Sequence, residues 1–268
     1  MLKKRIIFAL LYSDGHFFQS RNFNIQRVGS VDWLEKNYNF KKISYYIDEL
    51  LVIDISRNER KIEQFLKDLN SITKFCFIPI SVGGGINSIK LVKKILSNGA
   101  DKVLINSNAN LKFMNEISKI YGQQSIICSV DFKLINNEYK VFIRNGSKML
   151  KISLSNYLKR LNTFPIGEIM LNSIDQDGTG NGLDFKALKN LPKKVEKSLI
   201  ISGGCGNSLH ISEGLDHKQI NAVSTANLLN FVGDGLKKAR EEMIKKKYNL
   251  PIWDVQMINK LQNNLKKI

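Results

Sequence analysis

Along the chain, short apolar runs alternate with stretches in which apolar residues recur every three or four positions. The runs Lys4–Leu11, Leu50–Asp54, Phe77–Val82, Lys102–Ile105, Ser125–Asp131, Glu168–Ser173, Leu199–Ser202 and Ala222–Thr225 predict strands. SIICSV and SLIIS are apolar almost throughout, as expected of strands covered on both faces. The intervening stretches predict helices over Arg60–Leu69, Ser88–Asn98, Leu111–Tyr121, Ser153–Leu161, Phe185–Leu191 and Gly233–Tyr248. In the second of these, Leu91, Val92, Ile95 and Leu96 share one face, and Gly99 follows as a stop. Eight strands, each followed by helical or irregular material, point to an α/β fold, a (β/α)8 TIM barrel. A doubly wound open sheet is the alternative.

An internal repeat separates the two. At an offset of about 120 residues, Val82-Gly83-Gly84-Gly85 falls on Ser202-Gly203-Gly204-Cys205, Leu11 on Asp131, and Asn106 on Ala226. Glu49 falls close to Glu168, and Ile53-Asp54 close to Ile174-Asp175. A barrel made of two duplicated half-barrels repeats in this way; an open sheet has no reason to. No linker or change of composition divides residues 1–268, so one domain is expected, with a C-terminal helix and tail from about 233.

The opening MLKKRIIFALLYSDG has the basic start of a signal peptide, but no small-residue cleavage site follows. Its apolar part is far shorter than the roughly 20 residues of a spanning helix. A first strand in a cytoplasmic, non-transmembrane protein is the expectation. Cys76, Cys128 and Cys205 form no C-x-x-C, and His16, His210 and His217 show no ligand spacing, so neither a disulfide framework nor a metal site is expected. The formal charge of +17 admits an anionic partner. Lysines are spread singly or in pairs, however, and the densest run, Lys237 to Lys247, lies on one predicted helix. Without a zinc finger, an aromatic RNA-binding strand or a basic arm, nucleic-acid binding is not expected.

In such barrels the chemistry sits at the C-terminal ends of the strands. Gly83-Gly84-Gly85 and Gly203-Gly204 lie there, with Asn106-Ser107 and Ala226-Asn227 one strand further on. Glycines let backbone N–H groups approach an anion closely, so two matched clusters suggest a phosphate cradle at each end of a ligand. Neither cluster fits G-x-G-x-x-G, which leaves a dinucleotide cofactor unsupported. Asp131 ends the fifth strand, where a general acid or base can reach a ligand. Asp177 lies in the next loop, and Asp54 and Asp175 are equally readable as acceptors for loop N–H groups. At the opposite strand ends, Arg5, Glu49, Lys102 and Glu168 suit a ring of alternating charges, whose role spacing alone leaves open between stability and function. The segment Ser13–Trp33 is long enough to form a mobile lid over the top face.

RIIxxLxxxDG, VGGGI, GADKVLINSNA, SVD, GEIMLNSIDQDGTGNG and SGGCG occur in order and spacing to about Phe231. Together they resemble the cyclase subunit of imidazole glycerol phosphate synthase, HisF. The resemblance implies a half-barrel duplication with two phosphate sites, at Gly84, Asn106, Ser107, Asp177, Gly178, Gly203, Gly204 and Asn227. It implies that Asp131 is catalytic and that Arg5, Glu49, Lys102 and Glu168 form a gate admitting ammonia from a HisH-like glutaminase docked on the bottom face. Two positions depart from the pattern: Leu11 stands where the family keeps an acid–base aspartate, and Gln19 where it keeps a lysine. Leucine moves no protons, so ammonia delivery looks intact and ring closure impaired. This combination is similar to a divergent branch associated with surface-polysaccharide genes. There, ammonia is supplied to a separate amidotransferase that turns an acetamido sugar into an acetamidino sugar. The alternatives are a working cyclase of histidine biosynthesis that uses Asp131 alone or His16 from the loop, and a scaffold that binds phosphorylated sugar without channelling.

Overall fold

The computed structural model describes residues 3–38, 40–57, 59–74, 76–192, 195–254, 256–258 and 260. The chain begins with β1 (Arg5–Ser13), β2 (His16–Arg21), β3 (Asn24–Ser30), α1 (Val31–Tyr38), α2 (Phe40–Ile43), β4 (Glu49–Asp54) and α3 (Ile62–Thr73). It continues through β5 (Ile80–Gly83), α4 (Ile89–Leu96), β6 (Lys102–Ile105), α5 (Leu111–Tyr121), β7 (Ile126–Ile135), β8 (Glu138–Ile143), β9 (Lys148–Ser153) and α6 (Leu154–Asn162). The last elements are β10 (Glu168–Ser173), α7 (Phe185–Leu188), β11 (Ser198–Ser202), α8 (Ser208–Asp216), β12 (Ile220–Thr225) and α9 (Gly235–Lys245). Parallel pairing runs β1-β4-β5-β6-β7-β10-β11-β12 and returns to β1, which closes a (β/α)8 barrel.

Every barrel strand but β5 feeds two cores, and this explains the near-continuous apolar runs. Ile7, Ala9, Leu51, Leu104, Ile127, Met170, Ile200 and Ala222 pack inside the barrel. Their alternating neighbours, such as Phe8, Val52, Val103 and Val130, face outward against Phe65, Val92 and Ile117 of the helices. Followed around the barrel, the registers stack the inward side chains in layers supplied by alternate strands. Leu51, Leu104, Met170 and Ser224 share one layer; Ala9, Gly83, Ser129 and Ser202 lie in the next one up. Helix starts are capped from the side chains: Ser88, Asn110, Asp184 and Asn207 accept backbone N–H groups of α4, α5, α7 and α8. The C-terminal helix is tied under the barrel by the buried pair Arg240–Asp48 (2.9 Å), whose carboxylate also accepts the Ile6 N–H.

The duplication is visible in the strands themselves. The two halves open on the longest strands, β1 and β7, and each of these turns back into an antiparallel hairpin, β2–β3 or β8–β9. These hairpins are the main departure from the sequence reading, which left Ser13–Trp33 as a lid without elements and missed β8 and β9. Burial in β3 shows no alternation, so the periodic signal that marks a strand is missing there. The turn residues Asn22 and Phe23, at φ 50° and 64°, are those of a two-residue hairpin turn. Boundaries also shift: the third barrel strand is Ile80–Gly83 rather than Phe77–Val82, and the last helix is Gly235–Lys245 rather than Gly233–Tyr248.

Candidate functional site

At the N-terminal mouth of the barrel four charged side chains close a ring. Arg5 Nη1 lies 2.8 Å from Glu49 Oε2, and Lys102 Nζ lies 2.8 Å from the same oxygen and 2.6 Å from Glu168 Oε1. Arg5 completes the circuit with a second ion pair to Glu168. Glu49 is 1% exposed and takes a further hydrogen bond from the Ser81 hydroxyl. Burial works against the charge on Glu168, but the Arg5 hydrogen bond and the Arg5 and Lys102 charges hold its carboxyl below the usual range. Every member touches both neighbours, so the ring occludes the mouth, and above it lie the interior apolar layers.

At the opposite mouth Asp131 ends its run of inward positions on β7. It is buried and accepts hydrogen bonds from Asn172 Nδ2 (3.1 Å), Asn106 Nδ2 (3.2 Å) and Ser129 Oγ (3.5 Å). Desolvation pushes its carboxyl up to about 7; the Asn172 hydrogen bond opposes that shift and the Asp177 charge adds to it. β1 and β7 are four strands apart in a ring of eight, so the inward residue at the top of β1 faces Asp131 across the mouth. That residue is Leu11, paired with Ile53 of β4 and Phe18 of β2. One wall of the mouth therefore offers an ionisable carboxyl among amide and hydroxyl donors, and the other offers hydrocarbon.

The two glycine clusters take up the expected places at strand tops. Gly84 has φ 112°, and a Cβ there would lie 2.2 Å from the Asp54 carbonyl oxygen. Beside it, Ser107 Oγ donates to Asn106 Oδ1 and accepts the Arg144 N–H at 3.0 Å, so the tip of the second hairpin rests on this cradle. Gly203 and Gly204, at φ 90° and 94°, frame the second cradle, with Asn227 beside them. The first hairpin covers that side: Asp177 Oδ2 accepts the Phe23 N–H (3.0 Å) and the Ser20 hydroxyl. The Gly178 Cα faces the Ser20 carbonyl so closely that a Cβ would lie 1.7 Å from it. Gln19 and Ser20 thus help enclose a cavity of about 20 Å³ at this cradle, room for about one water-sized molecule. A wider cavity of about 360 Å³ opens between the hairpin tips, lined by Phe23, Phe142, Ile174 and Lys133 among others.

Asp54 and Asp175 serve loop geometry: Asp54 Oδ1 accepts the Ser56 N–H and Asp175 Oδ2 the Leu134 N–H. Sequence reasoning overlooked Asn172, Ser129 and Ser224. The signal available was the in-strand alternation, since each stands two residues beyond an inward apolar position. Among the described residues no cluster of three His, Cys, Asp or Glu side chains is placed to hold a metal, and no helix is long and apolar enough to cross a membrane.

The carboxyl of Asp131 makes a testable contribution to stability. In the unfolded chain it titrates near 3.9 and in the folded chain at about 7. Between these values the folded state keeps a proton that the unfolded state has released, so stability falls as pH rises through this window and stays lowered above it. Asp131→Asn is expected to gain on the order of 2–4 kcal/mol at pH 8 and almost nothing at pH 4. Denaturant melts at both pH values read this; an equal change at each would refute it.

A closed (β/α)8 barrel with a charged ring at one mouth and paired glycine cradles at the other defines the class of molecule. A model of the histidine biosynthesis protein family matches residues 5–232. A protein of Parasynechococcus marenigrum, provisionally named imidazole glycerol phosphate synthase subunit hisF2, is 46% identical over 90% of this chain and 91% of its own. Imidazole glycerol phosphate synthase subunit HisF of Chlorobium phaeovibrioides is 31% identical over 90% of this chain and 96% of its own. The Bacillus cereus protein of the same name is 32% identical over 91% and 99%. The chain belongs to the histidine biosynthesis protein family, within its HisF group.

Proposed function

We propose that the chain is the ammonia-conducting barrel of a glutamine-dependent amidotransferase system. A HisH-like glutaminase docks on the face that carries Arg5, Glu49, Lys102 and Glu168 and releases ammonia at that ring. The ammonia passes along the apolar interior to the mouth, where phosphate groups of a ligand rest near Gly84, Asn106 and Ser107 and near Asp177, Gly178, Gly203, Gly204 and Asn227. Asp131 is the ionisable side chain presented to the acceptor. The acceptor in this reading is an acetamido sugar of surface-polysaccharide synthesis, converted by a separate sugar amidotransferase in the cytoplasm. It rests on the likeness to the divergent branch with a Leu-Leu end to strand one, here Leu10-Leu11.

The observation that carries the reading is Leu11 opposite Asp131. Closing an imidazole ring requires protons to move on and off the substrate, a service typically worth 10²–10⁴-fold. A mouth with one carboxyl and one leucine supplies a single participant. The second reading, favoured by the names of the relatives, is the cyclase subunit of histidine biosynthesis, working with Asp131 alone or with His16 from the loop as the replacement group. Against it, the His16 ring is already engaged at both nitrogens, by the Asp14 carbonyl oxygen at 2.8 Å and by Arg27.

The test supplies purified protein with ammonium and the phosphorylated ribulose-type intermediate of histidine synthesis and follows its consumption. Turnover at least about 10²-fold below ordinary enzyme rates of roughly 1–10³ s⁻¹ is expected. Ordinary rates would establish the cyclase and overturn the conduit reading.

A further inference from the structure

Ser224 stands out in the barrel interior. It pairs in register with the inward-facing Ile7 and follows the inward Ala222 by two residues, so its side chain points to the axis. The other three members of its layer are Leu51, Leu104 and Met170, all hydrocarbon or thioether. Ser224 is fully buried, and no described protein group lies within hydrogen-bonding reach of its hydroxyl. A buried hydroxyl without a partner is destabilising, so it does not help to hold the fold together. Ser224 also lines, with Ser202 of the neighbouring strand, the cavity of about 20 Å³ described above. That space matches one small molecule of about the size of water. Beyond it, Ser129, Asn172 and Asn106 each donate a hydrogen bond to Asp131.

We propose that Ser224, with Ser202, forms a stopping point for neutral ammonia inside the barrel. The Ser224 hydroxyl donates to the nitrogen lone pair, and the ammonia N–H groups donate to Ser202 Oγ and onward toward the Asp131 cluster. Asp177 also lines the cavity, but its Oδ2 is taken up by the Ser20 hydroxyl and the Phe23 N–H, so the site favours the uncharged amine and keeps the nucleophile deprotonated on its way to the acceptor. The assignment rests on the conduit reading and adds to it a residue that positions the cargo.

Hydroxylamine, uncharged at neutral pH, serves as the probe, with the methylammonium cation as the control. In the intact protein, hydroxylamine is expected to move the side-chain amide resonances of Asn172 and Asn106 saturably, whereas methylammonium leaves them unchanged. Ser224→Ala is expected to weaken hydroxylamine binding roughly five-fold, the value of one neutral hydrogen bond. The same variant is expected to melt about 2–4 °C higher, because it removes an unpartnered buried hydroxyl. A hydroxyl with a merely structural partner would give the opposite shift. Unchanged binding in the variant, a lower melting temperature, or equal response to the cation overturns the assignment. The methyl resonances of Ile7 and Leu51 report separately on entry into the barrel. If they respond while Asn172 does not, the stopping point fails and the conduit stands; if none responds, both readings fall.

Discussion

Arg5→Ala is expected to lower folding stability by about 3–5 kcal/mol, the cost of removing one partner from a buried ion pair. Arg5 bridges Glu49 and Glu168, and neither carboxylate has another arginine to turn to. Lys102 alone would then face two negative charges at the barrel mouth. The pH dependence changes as well. In the native protein Glu168 titrates below its unfolded value, so its contribution is complete above the unfolded value and disappears as pH falls through the folded one. Without Arg5, burial dominates, the Glu168 carboxyl moves up, and the loss of stability on acidification begins at a higher pH. Chemical denaturation from pH 4 to pH 8 measures both effects. A loss under about 1 kcal/mol at neutral pH would mean the ring is a solvated surface network. Under the conduit reading the variant also uncouples the glutaminase from the barrel, because an open mouth lets ammonia escape to solvent.

Leu11→Asp is the second large effect. The top of β1 faces Asp131 across the mouth, and the Asn106, Asn172 and Ser129 donors are already in place around Asp131. A carboxyl at position 11 would supply a second proton-transferring group. Turnover of the histidine intermediate with ammonium is expected to rise by roughly 10²–10⁴-fold over the parent chain. Leu11 is only partly buried, so the new carboxylate keeps some access to water and the variant remains foldable. No gain in a variant that folds and binds phosphate would show that the mouth lacks more than this one group. Gln19 would be the next residue to restore, since it sits with Ser20 at the second cradle.

Most of the barrel could be read from the chain because its strands are buried on both faces. Runs such as Leu50–Ile53 then stay apolar without a break, and the two glycine clusters mark the turns after β5 and β11. The hairpins were illegible for the opposite reason. β3 and β9 lie against other strands but face solvent, so no apolar period separates them from loop. At the site, Asp131, the glycines and the four charges were legible as chemistry-bearing residues at strand ends. Ser224 was not: a lone serine in an apolar strand carries no sign of whether its hydroxyl has a partner.

The sequence alone determined the number of barrel strands, the halfway repeat and the presence of leucine where the HisF pattern it resembles keeps an aspartate. These depend on residue type and spacing, which the chain carries locally. Only the tertiary structure decided that Arg5, Glu49, Lys102 and Glu168 close one circuit, that Leu11 and Asp131 face each other, and that both hairpins fold over the cradles. Those facts depend on strand register and barrel closure, which bring together residues as distant in the chain as Arg5 and Glu168.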